Sequence, residues 1–354
     1  MQNRRRSPRT MPFLSPLPGP SAVPAALSEF SLIDRFFARR AARGTRTSTL
    51  GIGDDCALLE PRSGKLLAIS TDMLVEGRHF FPAVAPDALG HKTRAVNLSD
   101  RAAMGATPRA FTLACARPRA DAAWLDAFSR GLFALADRFG CELIGGDTTS
   151  GPLNLCVTVF GEVAPDAVLR RDAARPGDAV WVSGTLGDAR AGLGVARGEW
   201  RAGAADAAAF RRALGRPEPR IALGLALAGV AHAALDISDG LAGDRPHILT
   251  RSHAGADVDA DAVPRSAALA ALPPDVQRRC ALAGGDDYGL CFTAPPGARA
   301  AVEAAGAGAA VRVTRIGTIR ALSSPSERPA IAWRDAAGAP LTLTLHGFDH
   351  FDAP

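Results

Sequence analysis

The placement of the aspartates constrains this chain more than any other feature. Asp54 and Asp55 lie in GIGDDC, Asp72 in ISTDM, Asp100 in NLSD, Asp147 in GGDTT, Asp236 and Asp239 in DISDG, and Asp286 and Asp287 in GGDDY. Nearly all sit at glycine turns or at the ends of short apolar runs. A surface carboxylate ordinarily occupies a polar helix face or caps a helix. A fold that gathers strand ends also gathers these carboxylates, and like charges so gathered resist ionisation unless cations hold them together. Hard oxygen ligands in this pattern point to Mg²⁺, with Mn²⁺ as the substitute, shared between carboxylates, water and substrate phosphates.

Phosphate chemistry is the natural partner of such a site, and the motif inventory narrows its form. There is no G-x-x-x-x-G-K-[ST], and the only lysines are Lys65 and Lys92, which excludes a P-loop kinase. GIGDDC lacks the third glycine of a dinucleotide fingerprint, and no G-x-S-x-G is present. Neutralisation of phosphate therefore falls to metal ions, a few arginines and backbone N–H groups at glycine turns. That combination suffices where catalysis is mainly positioning and charge stabilisation.

Between the aspartates, strand-like and helix-like segments alternate. Phe30, Ile33 and Phe37 share a helical face, LLAIS at 66–70 reads as a strand ending at Thr71 and Asp72, and a helix is predicted from about His91 to Met104, with Asn97 and Asp100 on one face. Asp121 caps a helix whose Trp124, Phe128, Leu132, Leu135 and Phe139 form an ordinary core stripe, ended by Gly140. CELIGG and LNLCVTVFGEV are strands flanking a glycine turn. The stretch 163–178 has little periodicity and two prolines, so it is the expected domain boundary. Beyond it come the strand AVWVSG, alanine-rich helices to about 233, the strand ALDIS, a helix start expected to break near Pro246, the strand of GGDDYGLCFTAP, a helix at 297–306 and the strand VRVTRIG. The alternation predicts a mixed α/β (α+β) protein of two domains, 28–165 and 166–354, behind a tail at 1–27.

The net charge of +5 invites a nucleic-acid reading. Its location answers that. Residues 1–28 hold Arg4, Arg5, Arg6 and Arg9 and no acid, so the body carries 37 basic against 36 acidic groups. Aromatics make up 6% and Tyr288 is the only tyrosine, so a basic surface with stacking platforms is not expected, and neither is a nucleic-acid partner. Pro12, Pro16, Pro18, Pro20 and Pro24 break the tail, which reads as disordered rather than as a signal peptide. Six scattered cysteines without C-x-x-C fit a reduced, cytoplasmic protein. No apolar run approaches the 18 or so residues of a membrane span.

Seven segments occur in a familiar order: GIGDDCAL (51–58), STDMLVEGRHF (70–80), NLSDRAAMGA (97–106), GGDTTSGP (145–152), ARPGDAVWVSGTLGDA (174–189), DISDGL (236–241) and GGDDYGLCFT (284–293). Together they resemble the thiamine-monophosphate kinases, within the superfamily named for aminoimidazole ribonucleotide synthetase. The resemblance spans roughly residues 28–350. It implies a PurM-like homodimer, with N-terminal domains joined in a dimeric β-barrel and a C-terminal α/β domain over the cleft. The implied reaction carries the γ-phosphoryl of ATP to thiamine monophosphate. The implied metal ligands are Asp54, Asp72, Asp100, Asp147, Asp236 and Asp239, holding several Mg²⁺ ions, with Ser70 and Thr71 adding oxygens. Arg171, Ser238, Gly146 and Asp147 fall at the ATP site, and His79 and Phe348 at the thiamine. Gly289 stands where the family usually has glutamate, so a carboxylate contact to the thiamine pyrimidine is lost there or supplied elsewhere. Each has an ordinary reading too: His79 as an interior histidine, Phe348 as a core plug, Arg171 as a solvated linker charge. Other ATP-using relatives (purine-pathway synthetase, selenophosphate synthetase, hydrogenase-maturation type) and a non-catalytic binding protein on the same fold are the alternatives.

Overall fold

Ten strands sort into two sheets in the computed structural model, which describes residues 28–343 other than 45 and 325, together with residue 345. The expectations for the tail at 1–27 and for Phe348 lie outside the described residues. The first sheet has the order β1-β4-β2-β3, formed by β1 (Leu66–Val75), β2 (Thr107–Arg117), β3 (Glu142–Ser150) and β4 (Asn154–Val163). β4 runs antiparallel to both β1 and β2, and β2 and β3 are parallel. Among the described residues of one chain this sheet is open, with β1 and β3 at its edges.

β1 is twice the length the sequence suggested. Its ladder with β4 runs from Leu66↔Val163 to Val75↔Asn154, so Thr71 and Asp72 lie inside the strand rather than past its end. Polar residues are tolerated because burial alternates: Ala68, Ser70, Asp72 and Leu74 turn toward the protein, whereas Leu67, Ile69, Thr71 and Met73 face out.

Helix α1 (Pro86–Ala103) also starts earlier than predicted, with proline near its first position. It is buried on most sides, Lys92, Arg94 and Arg101 included, which blurs the apolar stripe a sequence reader looks for. On one side it meets α2 (Ala122–Arg138), β1 and β4; on the other it meets elements of the second domain. A Cβ at Gly90 would lie 2.1 Å from the Phe128 carbonyl oxygen, and one at Gly131 would lie 1.9 Å from that of Asp87. These glycines let the backbones of α1 and α2 touch. The stripe on α2 is core as expected: Phe128 and Leu132 are fully buried, and Trp124 stacks on Phe128 at 4.9 Å.

No strand or helix occupies 164–178. The second sheet then has the order β10-β7-β9-β5-β8-β6, from β5 (Ala179–Ser183), β6 (Ala233–Asp236), β7 (Gly255–Asp259), β8 (Leu290–Ala294), β9 (Val313–Arg320) and β10 (Ile331–Arg334). Helices α3 (Asp188–Arg197), α4 (Ile221–Leu227) and α5 (Leu241–Arg251) matter most to the site. α4 and β6 pack against α1. Pro246 lies within α5 without ending it, contrary to the break expected from sequence; in the second turn it removes a single backbone donor, while Leu241, Ile248 and Leu249 on either side anchor the helix in the core. Tyr288, from the turn before β8, packs into the first domain's core beside Leu74, Phe80 and Leu89.

Candidate active site

The inner face of β1, the C-terminal half of α1 and the turns before α5 and β8 enclose a cleft of about 940 Å³. Asp72, Asp100, Asp236, Asp239, Ser238, Arg171 and His79 all line it, so most of the sequence-predicted set converges there. Strand alternation turns Ser70 inward with Asp72. Arg101 of α1 reaches across to both the Ala68 carbonyl and Ser70 Oγ, the latter at 2.7 Å. The same helix thus delivers Asp100 and a cation that locks β1. Thr71 also lines the cleft, although its side chain takes the outer face of the strand, where its Oγ1 lies 2.9 Å from Thr158 Oγ1.

Electrostatics reveal what the convergence costs. Burial, then the neighbouring Asp100 and Asp236, raise Asp72 from 3.8 to about 7, with Arg101 partly offsetting them. Asp236, at the end of β6 and 6% exposed, is likewise raised to about 7 by burial and by Asp100, with Arg171 among the opposing influences. Carboxyls raised this far are only partly ionised near neutral pH unless a cation close by favours the charged form. Among the described residues, no three His, Cys, Asp or Glu side chains close on one point as a ready-made cage.

Several residues that shape the cleft escaped sequence reasoning. Asp244, buried in the first turns of α5, accepts from the Ser238 N–H at 2.9 Å and the Asp239 N–H at 2.8 Å, and so sets the turn that presents both residues. Burial, then Asp239, push its carboxyl up to about 8. Its only sequence signal is an acid shortly after DISDG. Arg190 and Arg197 line the cleft from one face of α3, a two-turn spacing that was readable. Arg190 is pinned by Glu199 Oε2 at 2.5 Å and by the Trp200 ring, 4.9 Å from its guanidinium carbon. Asp287 does not line the cleft: its Oδ2 accepts from Gly187 N–H at 2.7 Å, just before α3.

Not every predicted residue reaches this cleft. Asp54, Gly146 and Asp147 line a second one of about 700 Å³, walled by Phe30, Ile33 and Phe37. Asp147 is exposed, and its Oδ1 accepts from Thr148 N–H at 2.9 Å. Gly146 has φ +146°, and a Cβ there would meet the Leu113 carbonyl oxygen at 1.9 Å, so only glycine lets β3 pass β2 at this point. Gly289 lies behind the first cleft: its carbonyl accepts from Ile237 N–H at 2.8 Å, and a Cβ would sit 3.0 Å from the Ser183 carbonyl oxygen.

Comparison with known proteins bears directly on this arrangement. Residues 53–163 match the N-terminal domain, and residues 175–326 the C-terminal domain, of the AIR synthase related proteins. The chain is 46% identical over 333 residues to the thiamine-monophosphate kinase of Salmonella typhimurium, covering 93% of this chain and all of that protein. The crystal structure of thiamine-monophosphate kinase from Stenotrophomonas maltophilia superposes with a TM-score of 0.78 at 46% identity, covering 86% of this chain and 97% of that one. The structure of AaThiL complexed with AMPPCP and TMP superposes with a TM-score of 0.69 at 29% identity, covering 92% and 97%. By sequence along nearly its whole length and by fold, the chain belongs to the thiamine-monophosphate kinase family.

Proposed function

We propose that the chain transfers the γ-phosphoryl group of ATP to thiamine monophosphate, giving thiamine diphosphate and ADP, by direct in-line displacement. The observation that carries this reading is the convergence of Asp72, Asp100 and Asp236 on one cleft of about 940 Å³, where a divalent cation would favour their ionised forms beside bound phosphates. Asp72, Asp100, Asp236 and Asp239 would hold Mg²⁺ in the first cleft and Asp54 and Asp147 in the second, with oxygens of Ser70 and Thr71 beside them. Bound Mg²⁺ supplies charge screening between two anionic substrates and stabilises the oxygens of an in-line transfer. Arg171 and Ser238 serve the ATP phosphates, Gly146 offers backbone to the nucleotide, and His79 and Phe348 meet the thiamine. His79 Nδ1 accepts from the Val75 N–H at 3.0 Å, which puts the proton of the neutral ring on Nε2. No general base is required, because a phosphate monoester with a second pKa near 6 is largely dianionic at neutral pH.

The working unit in this reading is a cytoplasmic homodimer of two-domain chains, divided near 165/166. β1 supports it: among the described residues the strand has one unpaired edge, and Leu66, Ile69 and Met73 are 50%, 57% and 51% exposed. Pairing two such edges would close the N-terminal sheets into a barrel.

The test offers MgATP with thiamine monophosphate, thiamine or purine-pathway intermediates in parallel. Thiamine diphosphate formed from the monophosphate alone is the expected result; turnover of another acceptor in its place would refute the reading. Incubation with γ-labelled ATP alone should leave the protein unlabelled, and a stable phosphoprotein would overturn direct transfer.

A further inference from the structure

One of the chain's two lysines is buried at the seam between the domains. Lys92, on α1, is 3% exposed. Its Nζ lies 2.9 Å from Asp286 Oδ1 in the turn before β8, and it donates to the His79 carbonyl oxygen at 3.3 Å. Tyr288 OH donates to the same Asp286 oxygen at 3.2 Å. One ammonium therefore joins three segments: the loop after β1 that carries His79, the helix that carries Asp100, and a turn of the second domain.

Two further observations separate this cluster from an incidental ion pair. Asp286 and Tyr288 have φ of +69° and +50°, left-handed conformations that residues other than glycine rarely adopt. Such strain persists only where the surroundings over-determine it, and here those surroundings include the Lys92 bond and the seating of Tyr288 in the first domain's core. Asp286, Tyr288 and His79 also line the 940 Å³ cleft, so the strained turn and the anchored loop face the substrate space.

We propose that Lys92 is a positioning residue for the acceptor: with Asp286 and Tyr288 it fixes the His79 loop and the second domain's turn at the separation that thiamine monophosphate requires. The inference rests on His79 marking the acceptor end of the cleft. The charge of Lys92 matters less than its bonds to two segments. An uncharged replacement of similar length would keep the packing and free both segments to drift apart.

The experiment uses the full-length protein with MgATP and thiamine monophosphate as the varied substrates. Lys92→Met and Asp286→Asn are each expected to raise KM for thiamine monophosphate at least tenfold while changing KM for ATP less than twofold. The double variant Lys92→Met/Asp286→Leu removes both partners of the buried pair, so it avoids a stranded charge and should recover much of any lost melting temperature. It should keep the raised KM. Recovery of normal KM for thiamine monophosphate in that double variant, or an equal rise in KM for ATP, would overturn the proposal. Should Lys92→Met not accumulate as folded protein, Asp286→Asn, at a partly exposed carboxylate, carries the same expectation. His79→Ala separates the two levels: a raised KM there with normal Lys92 and Asp286 variants refutes the positioning role alone, whereas an unchanged KM refutes the placement of the acceptor and the proposal with it.

Discussion

Replacing Asp236 by asparagine should stabilise the metal-free protein while destroying its activity. Folding raises Asp236 from 3.8 to about 7, chiefly through burial and the presence of Asp100. The folded state therefore holds this proton more tightly than the unfolded chain does. Stability is lost as pH rises from about 4 to about 7, where the unfolded carboxyl is ionised and the folded one resists ionisation. At about 1.4 kcal/mol per pH unit the full effect is about 4 kcal/mol. Asp72 is raised by the same neighbours, so the pair relieves part of its repulsion jointly, and about 2 kcal/mol for Asp236 alone is a sounder figure. An amide of the same shape removes that penalty. In excess chelator at pH 8, calorimetry should show Asp236→Asn melting above the parent, by about 4–8 °C for a domain of this size. The gain should shrink steadily toward pH 4, and Mg²⁺ should raise the melting temperature of the parent more than that of the variant. Turnover of MgATP and thiamine monophosphate should fall at least about a hundredfold. A variant no more stable than the parent at pH 8, or a gain independent of pH, would refute the claim that these carboxylates are gathered against their own repulsion.

Three other outcomes follow from the geometry. Asp244→Ala strips the acceptor from two backbone N–H groups and should destabilise the protein by roughly 2–4 kcal/mol in urea unfolding while raising KM for ATP; a loss below about 0.5 kcal/mol would show that water replaces the carboxylate. Gly90→Ala forces α1 from α2 and should cost at least about 2 kcal/mol by the same measurement, whereas a neutral effect would mean that the helix contact yields freely. Ile69→Asp, on the outward face of β1, should convert a dimer into a folded monomer in sedimentation velocity; an unchanged dimer would place the interface elsewhere.

Much of this molecule was legible in its sequence, and the parts that were not share a cause. Runs such as AVWVS and LNLCVTVFGEV declared themselves as strands because apolar composition and pairing agree there. The second half of β1 did not, since STDMLV owes its extension to the β4 ladder rather than to its own propensity. α1 hid its first turns because a helix buried on most sides loses the polar face that makes a stripe visible. Within the site, the aspartates were readable from residue type, although Asp72 and Asp147 lie inside strands and Asp100 inside a helix rather than at turns. Lys92 was not, because its role is fixed by a group distant along the chain: it meets Asp286 nearly two hundred positions later. Asp244 bonds back to Ser238 and Asp239, six and five positions before it, but an acid in the first turns of a helix reads equally well as solvated. The division of the predicted residues between two clefts was equally unreadable, as it depends on how β3 lies relative to the domain seam.

The seating of Tyr288 has a consequence for biosynthesis. The first domain's last strand, β4, ends at Val163, roughly 125 residues before the tyrosine that completes its core. At about 5–20 residues per second, a ribosome needs roughly 6–25 s to make that interval. During it the N-terminal half exists with an empty slot beside Leu74 and Phe80 and with Lys92 facing no carboxylate from the second domain. The nascent domain is in this sense a socket waiting for a plug. Its maturation is completed by a turn synthesised late, and release of a chain truncated before residue 288 would leave a species prone to capture by chaperones or to aggregation.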